Sequence, residues 1–253
     1  MQVELTKEQV AQYYCEGFIA LGPITTPEDL SRVREIYDEL FASRAEFGRD
    51  LSFDLAGDSE EKPTLPQILS PSDLRPELKE TLLYANAKRI VGQLLAEADP
   101  MIGDHAILKP AGYGAPTPWH QDEAYWNPAV TYNSMSIWVP LQDVGVEQGC
   151  LHFVKKSNRW EVLPHQPIGN NPKTHGLELA VPIDAEWEVV PCPLVAGGCT
   201  VHHNRTLHYA PANASHIDRR ALILMGGAEC RPYPGVRRYE WQERQAEANA
   251  PAS

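Results

Sequence analysis

The feature that most constrains the fold is a change in the chain after Pro100. From there to about residue 227, short runs of β-forming residues alternate with proline, glycine and asparagine. The strands predicted from these runs are Ile102–Lys109, Met135–Leu141, Cys150–Val154, Trp187–Leu194, Cys199–His203 and Arg220–Gly227. Many short strands with frequent turn signals predict a β-sandwich or a jelly roll.

The first hundred residues have helical signals instead. Thr6 and Gln9 fit a capping box that opens a helix through about Gly17, and the sequence 26–29 places a cap, a first-turn proline and two acids before a second helix. A third helix is predicted over about 75–96, and 48–71 is predicted to be a loop because it is rich in proline and polar residues. These helices are expected to buttress the β-rich part.

No internal repeat or linker divides the chain, so one domain over 1–253 is expected, with a helical part at about 1–100 and a barrel core at about 101–230. Residues 157–186 form a connection too long to be an ordinary loop, and we interpret this segment as a lid.

The formal net charge of -12 argues against binding to nucleic acid, because phosphate backbones are held by patches of lysine and arginine. No run of about 18 apolar residues predicts a membrane span, and the first seven residues lack the pattern of a signal peptide. A cytoplasmic location is expected.

The segment His120-Gln121-Asp122 places an imidazole and a carboxylate two residues apart, so that on an extended strand both side chains point to the same side. Two histidines and one carboxylate on one face of an iron(II) ion are the ligands of non-haem oxygenases, which leave the other positions open. A second histidine must then come from farther along the chain.

A downstream cluster contains His202, His203 and His208, and Arg219 follows the last of these by eleven residues. The co-substrate 2-oxoglutarate chelates iron at one end, so its far carboxylate needs a planar cationic donor, which arginine supplies better than lysine. Taken singly, a His-x-Asp segment is often accidental, and His202 and His203 can be polar residues of a sheet. In combination, the set is chemically complete.

The chain resembles the phytanoyl-CoA dioxygenase family of iron(II)- and 2-oxoglutarate-dependent oxygenases, over most of its length to about Ala228. The resemblance rests on His120-Gln121-Asp122, Trp138 eighteen residues after the first histidine, Gln148-Gly149-Cys150-Leu151 at the family's Asn-Gly-x-Leu turn, and His208 followed by Asn213 and Arg219.

The resemblance implies a double-stranded β-helix, which is a cupin-like jelly roll, with iron inside one mouth. His120, Asp122 and His208 would be the metal ligands and catalytic residues. Arg219 would bind the distal carboxylate of 2-oxoglutarate, with Gln121 and Trp138 lining the co-substrate pocket. The implied activity is a dioxygenase that hydroxylates or otherwise oxidises a small molecule with molecular oxygen, releasing succinate and carbon dioxide.

Two positions depart from the family's pattern. Ala210 stands where a serine often helps to hold the co-substrate, and Gly197-Gly198 replaces a Gly-Asp pair. Related halogenases replace the carboxylate ligand by alanine or glycine, whereas Asp122 retains it, which favours hydroxylation or another oxidation over halogenation.

Residues near the first two ligands are hypothesised to contact the substrate: Tyr113, Trp119, Glu123, Tyr125 and Trp126, with His165 or Asn170 from the lid. Two alternatives stay open. One is a cupin-like metal-dependent isomerase or hydrolase that does not use 2-oxoglutarate, and the other is a catalytically silent binding protein of the same fold.

Overall fold

The computed structural model describes residues 1–57, 62–96, 101–228 and 230–250, with the side chains at 101 and 102 excepted. The helices in these ranges are α1 (Lys7–Glu16), α2 (Pro27–Ala42), α3 (Pro71–Leu74), α4 (Leu82–Leu95) and α5 (Glu240–Ala248). The strands are β1 (Phe18–Leu21), β2 (Ser52–Asp54), β3 (Pro66–Leu69), β4 (Met101–Lys109), β5 (Thr117–His120), β6 (Val130–Thr131), β7 (Ser134–Pro140), β8 (Leu151–Val154), β9 (His165–Pro167), β10 (Leu177–Leu179), β11 (Val189–Cys192), β12 (Cys199–His203), β13 (His208–Ala210), β14 (Arg219–Gly227) and β15 (Arg231–Pro232). None of the described helices is long and apolar enough to cross a bilayer.

Two antiparallel sheets form the centre of the molecule. The larger has seven strands in the order β1-β12-β7-β14-β4-β3-β2, and the smaller has four in the order β11-β8-β13-β5. From β11 to β14 the chain alternates between the two sheets, as in a jelly roll. The prediction of a mainly β jelly roll with N-terminal helices is confirmed.

Strand β14 contributes apolar side chains to the hydrophobic clusters on both faces of the large sheet. Leu222 and Leu224 pack with the helices on the outer face of the large sheet, whereas Ala221 and Ile223 face the small sheet. Because successive side chains of a strand point to opposite faces, a strand covered on both sides is apolar throughout. The candidate active site described below lies in the interior between the two sheets.

The helices begin largely where their caps predict. Thr6 accepts a hydrogen bond from the Gln9 backbone and the Gln9 side chain accepts one from the Thr6 backbone, so the predicted capping box is present. The predicted third helix begins at Leu82 rather than near residue 75, because a 3₁₀ turn over Pro76–Glu80 precedes it and the Thr81 side chain caps it.

The prediction of a loop over 48–71 is wrong for part of that segment. Strands β2 and β3 pair with each other, and β3 extends the large sheet beside β4. Both strands are short, and Pro66 begins β3 at a position where proline is tolerated, so the turn-forming residues masked the strand signal. The segment 157–186 contains a hairpin of β9 and β10.

Candidate active site

The end of β5 and the start of β13 bring two imidazoles together. His120 and His208 are directly opposite on these paired strands, and their ring centroids lie 4.2 Å apart. The Nδ1 of His120 lies 2.8 Å from the Pro118 carbonyl, and the Nδ1 of His208 lies 2.9 Å from the Thr206 carbonyl. When each Nδ1–H donates to its carbonyl, each Nε2 keeps a free lone pair for a metal ion.

Asp122 adds a carboxylate to this pair. Its backbone begins a 3₁₀ turn just after β5, with Gln121 still extended, so its side chain lies on the same side as that of His120. Asp122 Oδ1 is 3.7 Å from the Nε2 of His120 and 3.7 Å from the Nε2 of His208. The three ligand atoms all lie within 4.8 Å of one another, a spacing that can hold a metal ion.

The protonation states suit a metal ligand set. Burial lowers the pKa of both His120 and His208, which keeps the rings neutral near pH 7. Burial alone would raise the pKa of Asp122, but the neighbouring His208, His202 and His120 outweigh it and hold that pKa well below its ordinary value. Two neutral imidazoles and a carboxylate are the donors that a divalent iron ion requires.

Two further residues at this carboxylate were missed by the sequence analysis. The Ser136 hydroxyl donates to Asp122 Oδ2 at 2.7 Å, and the Nε2 of His202 lies 3.3 Å from the same oxygen. The alternation of β7 could have identified Ser136, because it places this residue on the same face as Trp138. His202 was interpreted only as a polar residue of a sheet.

A buried arginine, Arg219, lines the same cavity as these residues. Its side chain is 1% exposed, and its Nε and Nη1 have no hydrogen-bond partner among the residues that the structure describes. The guanidinium carbon lies 5.3 Å from the centre of the Trp138 ring. Burial lowers the pKa of Arg219 to about 10, so the group is still charged at neutral pH. A buried, unpaired cation of this kind is suited to an incoming anion.

One cavity of about 320 Å³ joins these two ends. Its lining includes the three candidate metal ligands, Ser136, His202, Trp138, Ala210 and Arg219. The rest of the lining is mostly apolar or aromatic: Phe53, Leu55, Gln67, Leu69, His105, Ile107, Thr117, Tyr125, Trp126, Leu151, His175, Tyr209, Ile223 and Met225. Among the lining residues that the structure describes, Arg219 is the only lysine or arginine.

Gln121 and Trp138, both expected in the co-substrate pocket, occupy different places. Trp138 lines the cavity, whereas Gln121 is not among its lining residues. The Gln121 amide donates to the Glu161 and Arg205 carbonyls and accepts from the Leu163 backbone. Gln121 therefore connects the segment after β8 with the turn that carries Asp122. It is not part of the proposed co-substrate site.

The hypothesised substrate contacts divide in the same way. Tyr125 and Trp126 line the cavity, but Tyr113, Trp119 and Glu123 are not among its lining residues. Tyr113 is 44% exposed, and the Trp119 ring packs against Tyr209 at 4.3 Å between ring centres.

The position of Glu123 has a clear physical reason. Its carboxylate is buried, with Arg237 at 2.9 Å, Arg205 at 3.2 Å and the Asn204 amide at 2.6 Å. Those partners already satisfy the charge. In the segment 157–186, His165 accepts from the Gln121 backbone and Asn170 accepts from Arg244. Of the described residues of that segment, only His175 lines the cavity.

Residues 13–221 match the model of the phytanoyl-CoA dioxygenase family, PhyH. This match spans most of the chain, and the chain belongs to that family.

Its relatives include solved and curated proteins. EvdO2 from Micromonospora carbonacea var. aurantiaca, in a crystal structure with 2-oxoglutarate, is 36% identical, with 95% of this chain and 99% of that chain covered and a TM-score of 0.83. Phytanoyl-CoA dioxygenase 1 of Oryza sativa subsp. japonica is 25% identical over 87% of this chain and 88% of its own length.

A probable alpha-ketoglutarate-dependent hypophosphite dioxygenase of Stutzerimonas stutzeri is 29% identical over 48% of this chain, and the match spans only 42% of that relative. Together, the family, the His-Asp-His group and the relative crystallised with 2-oxoglutarate support the sequence prediction of iron(II) and 2-oxoglutarate as cofactors.

Proposed function

We propose that this protein is an iron(II)- and 2-oxoglutarate-dependent dioxygenase that hydroxylates a small, uncharged molecule and releases succinate and carbon dioxide. The observation that carries the proposal is that the His-Asp-His group and the unpaired guanidinium of Arg219 line one cavity. 2-Oxoglutarate, which chelates a metal through its keto acid and carries a second carboxylate at its other end, fits between the His-Asp-His group and Arg219.

His120, Asp122 and His208 would hold the iron. Their Nε2 and Oδ1 atoms converge, and the main-chain carbonyls of Pro118 and Thr206 fix the two imidazoles. Iron with 2-oxoglutarate would supply oxidation by molecular oxygen, coupled to loss of carbon dioxide from the keto acid.

Arg219 would orient the co-substrate by donating hydrogen bonds to its distal carboxylate. Its Nε and Nη1 donors are unused within the described residues, and no described carboxylate forms an ion pair with it. The Trp138 ring beneath the guanidinium limits its movement. Asn213 donates to the Lys109 and Ile217 carbonyls and so holds the turn that leads into β14.

The remaining wall would exclude water and orient the substrate. Phe53 and His175 stack with their ring centres 4.4 Å apart, and the Tyr125 hydroxyl accepts from the Leu177 backbone, which fixes its ring at the cavity. Among the described lining residues, Arg219 is the only lysine or arginine and Asp122, a candidate metal ligand, is the only carboxylate, so they offer neither a second cation nor a second anion to a charged group of the substrate. We therefore propose an uncharged reacting group.

The adjacent residues Arg219 and Arg220 allow a matched test. Arg220 points the other way and pairs with Asp38 at 2.6 Å on the surface. In an anaerobic titration, iron(II) and 2-oxoglutarate should give the wild-type protein a weak visible charge-transfer band. Arg219→Ala should weaken 2-oxoglutarate binding by about 2–5 kcal/mol, at least about 30-fold, while Arg220→Ala should leave it unchanged.

Each other outcome favours a rival function. Metal binding without any effect of 2-oxoglutarate, and with unchanged activity in Arg219→Ala, would favour a metal-dependent isomerase or hydrolase. The absence of both metal binding and the band would favour a catalytically silent binding protein.

A metabolite screen would test the substrate class. Succinate formation should be coupled to the loss of an uncharged compound and to a mass increase of one oxygen atom. Coupling only to phosphorylated compounds or coenzyme A thioesters would contradict the uncharged reacting group, and a product without added oxygen would contradict hydroxylation.

A further inference from the structure

Two strands of the large sheet present a pair of donors to the metal-binding carboxylate. Ser136 on β7 and His202 on β12 are directly opposite in the register of these strands. Both side chains are 2% exposed. Residues opposite each other in an antiparallel pair lie on the same face, and both of these project between the two sheets toward Asp122.

Both residues contact the same carboxylate oxygen. Ser136 Oγ lies 2.7 Å and His202 Nε2 lies 3.3 Å from Asp122 Oδ2. The other oxygen, Oδ1, is the one that faces His120 and His208, at 3.7 Å from each Nε2. The carboxylate is therefore divided into one oxygen that faces the metal site and one that is occupied by protein donors.

The surroundings of His202 favour a fixed ring. Its Nδ1 has no hydrogen-bond partner among the described residues, and its ring packs 5.1 Å from Phe153 and 4.5 Å from His208, measured between ring centres. Its partner on the other side of β12 is Phe18. An imidazole with no hydrogen-bond partner at one nitrogen and a carboxylate at the other is held as the Nε2–H tautomer.

We propose that Ser136 and His202 are positioning residues that keep Asp122 a one-oxygen ligand of the iron. Hydrogen bonds to Oδ2 would compete with its coordination to an iron ion, so that three positions of the ion would stay available to the keto acid and oxygen. The inference rests on the proposed function, because it concerns the same metal site.

The arrangement also explains how both sheets fix the site. The two imidazoles come from an opposed pair of residues on the small sheet, and the donors to the carboxylate come from an opposed pair on the large sheet. Asp122 lies in the turn between them. Its position therefore depends on the distance between the sheets.

The test uses the full chain and manganese(II), which replaces iron(II) without being oxidised by air. The variants are Ser136→Ala, His202→Phe, the double variant, and His202→Gln, whose amide places an N–H donor close to the position of Nε2. His203→Phe is the control, because His203 is next in the chain and its Nδ1 accepts from the Arg205 backbone outside the cavity lining. Metal affinity, 2-oxoglutarate affinity of the manganese form, and the metal-induced infrared carboxylate bands are measured.

We expect the double variant to lose about 10-fold to 100-fold in manganese affinity, the range found when outer partners of metal ligands are removed. Its 2-oxoglutarate affinity should fall as well, and the separation of the carboxylate bands should shrink toward that of a two-oxygen ligand. His202→Gln should retain most of the affinity that His202→Phe loses. His203→Phe should not differ from the unchanged protein.

Three results would overturn the inference: unchanged affinities in the double variant, equal losses in His202→Gln and His202→Phe, or unchanged carboxylate bands despite a lower melting temperature, which would indicate a purely structural role. If the unchanged protein binds neither manganese(II) nor 2-oxoglutarate, the proposed function fails too. If it binds both and the double variant binds them equally, only the positioning role fails.

Discussion

The two ends of the cavity differ in how far the protein satisfies its own polar groups. At the metal end, His120 and His208 each have a carbonyl partner, and Asp122 has the Ser136 hydroxyl. At the other end, two guanidinium nitrogens of Arg219 have no partner among the described residues. The metal end is fixed by internal hydrogen bonds, whereas the other end has guanidinium donors that the described residues do not use.

The two ends therefore affect the stability of the folded chain in different ways. The metal end is held in place by main-chain carbonyls and paired strands, so its geometry follows from the fold itself. The arginine end retains a buried charge that destabilises the folded chain until an anion binds. We therefore expect protonation at the metal end to reduce the stability of the folded chain and removal of the arginine charge to increase it.

The largest expected effect concerns His165, which supports the metal end. Its Nε2 accepts from the Gln121 backbone between two metal ligands, and burial lowers its pKa from 6.5 to about 4. The unfolded chain therefore binds more protons between these values, and stability is lost as the pH falls from about 6.5 toward 4. His165→Gln keeps an uncharged hydrogen-bond acceptor. Between pH 7 and 4.5, its free energy of unfolding should therefore fall by roughly 2–3 kcal/mol less than that of the wild type.

Urea unfolding of the metal-free protein at both pH values measures this change. The control is His216→Gln, because His216 is exposed. An identical pH dependence in wild type and His165→Gln would show that the turn at the metal end does not depend on a neutral imidazole.

The next effect concerns Arg219 at the other end of the cavity. Its folded pKa of about 10 lies below its ordinary value of 12.5, so at neutral pH the charged group destabilises the folded state. Arg219→Met should raise the free energy of unfolding by about 1–3 kcal/mol in the absence of 2-oxoglutarate. Arg220→Met removes only an exposed ion pair and should change it by less than about 1 kcal/mol.

Without ligand, Arg219→Met should unfold at a higher temperature than the wild type. With added iron(II) and 2-oxoglutarate, the wild type should unfold at the higher temperature. Ligand binding stabilises the wild type by mass action, whereas Arg219→Met should gain little beyond the effect of the metal. A destabilised Arg219→Met protein without ligand would mean that the guanidinium has a partner that supports the fold.

The sequence predicted the parts of the site that depend on local spacing. His120 and Asp122 lie two residues apart on extended backbone, so their common side followed from strand geometry. The strands from β4 onward were recognised in outline because turn residues separate them. The family resemblance then linked His208 and Arg219 to these residues across the chain.

What the sequence did not predict depends on contacts between distant strands. Ser136 and His202 became neighbours of Asp122 only through the register of β7 against β12 and the closure of the two sheets. Gln121 fitted the family's pocket in sequence, yet its amide turns to the backbone of 161–163 and Arg205. Strands β2 and β3 were missed because three-residue and four-residue strands carry little periodicity.

The smallest expected effect tests whether the arginine end can be improved. Ala210 is buried in the cavity lining, two residues after His208 and at the position where a family serine often contacts the co-substrate. Ala210→Ser adds a hydroxyl donor for the anion that Arg219 receives, and one net hydrogen bond contributes about 0.5–1.5 kcal/mol. Isothermal titration of the manganese form should therefore show 2-oxoglutarate binding that is tighter by roughly threefold to tenfold. Ala210→Cys, of similar size but a weak donor, should show a smaller gain. Equal or weaker binding in Ala210→Ser would mean that the hydroxyl does not reach the anion and that Arg219 holds it without help from β13.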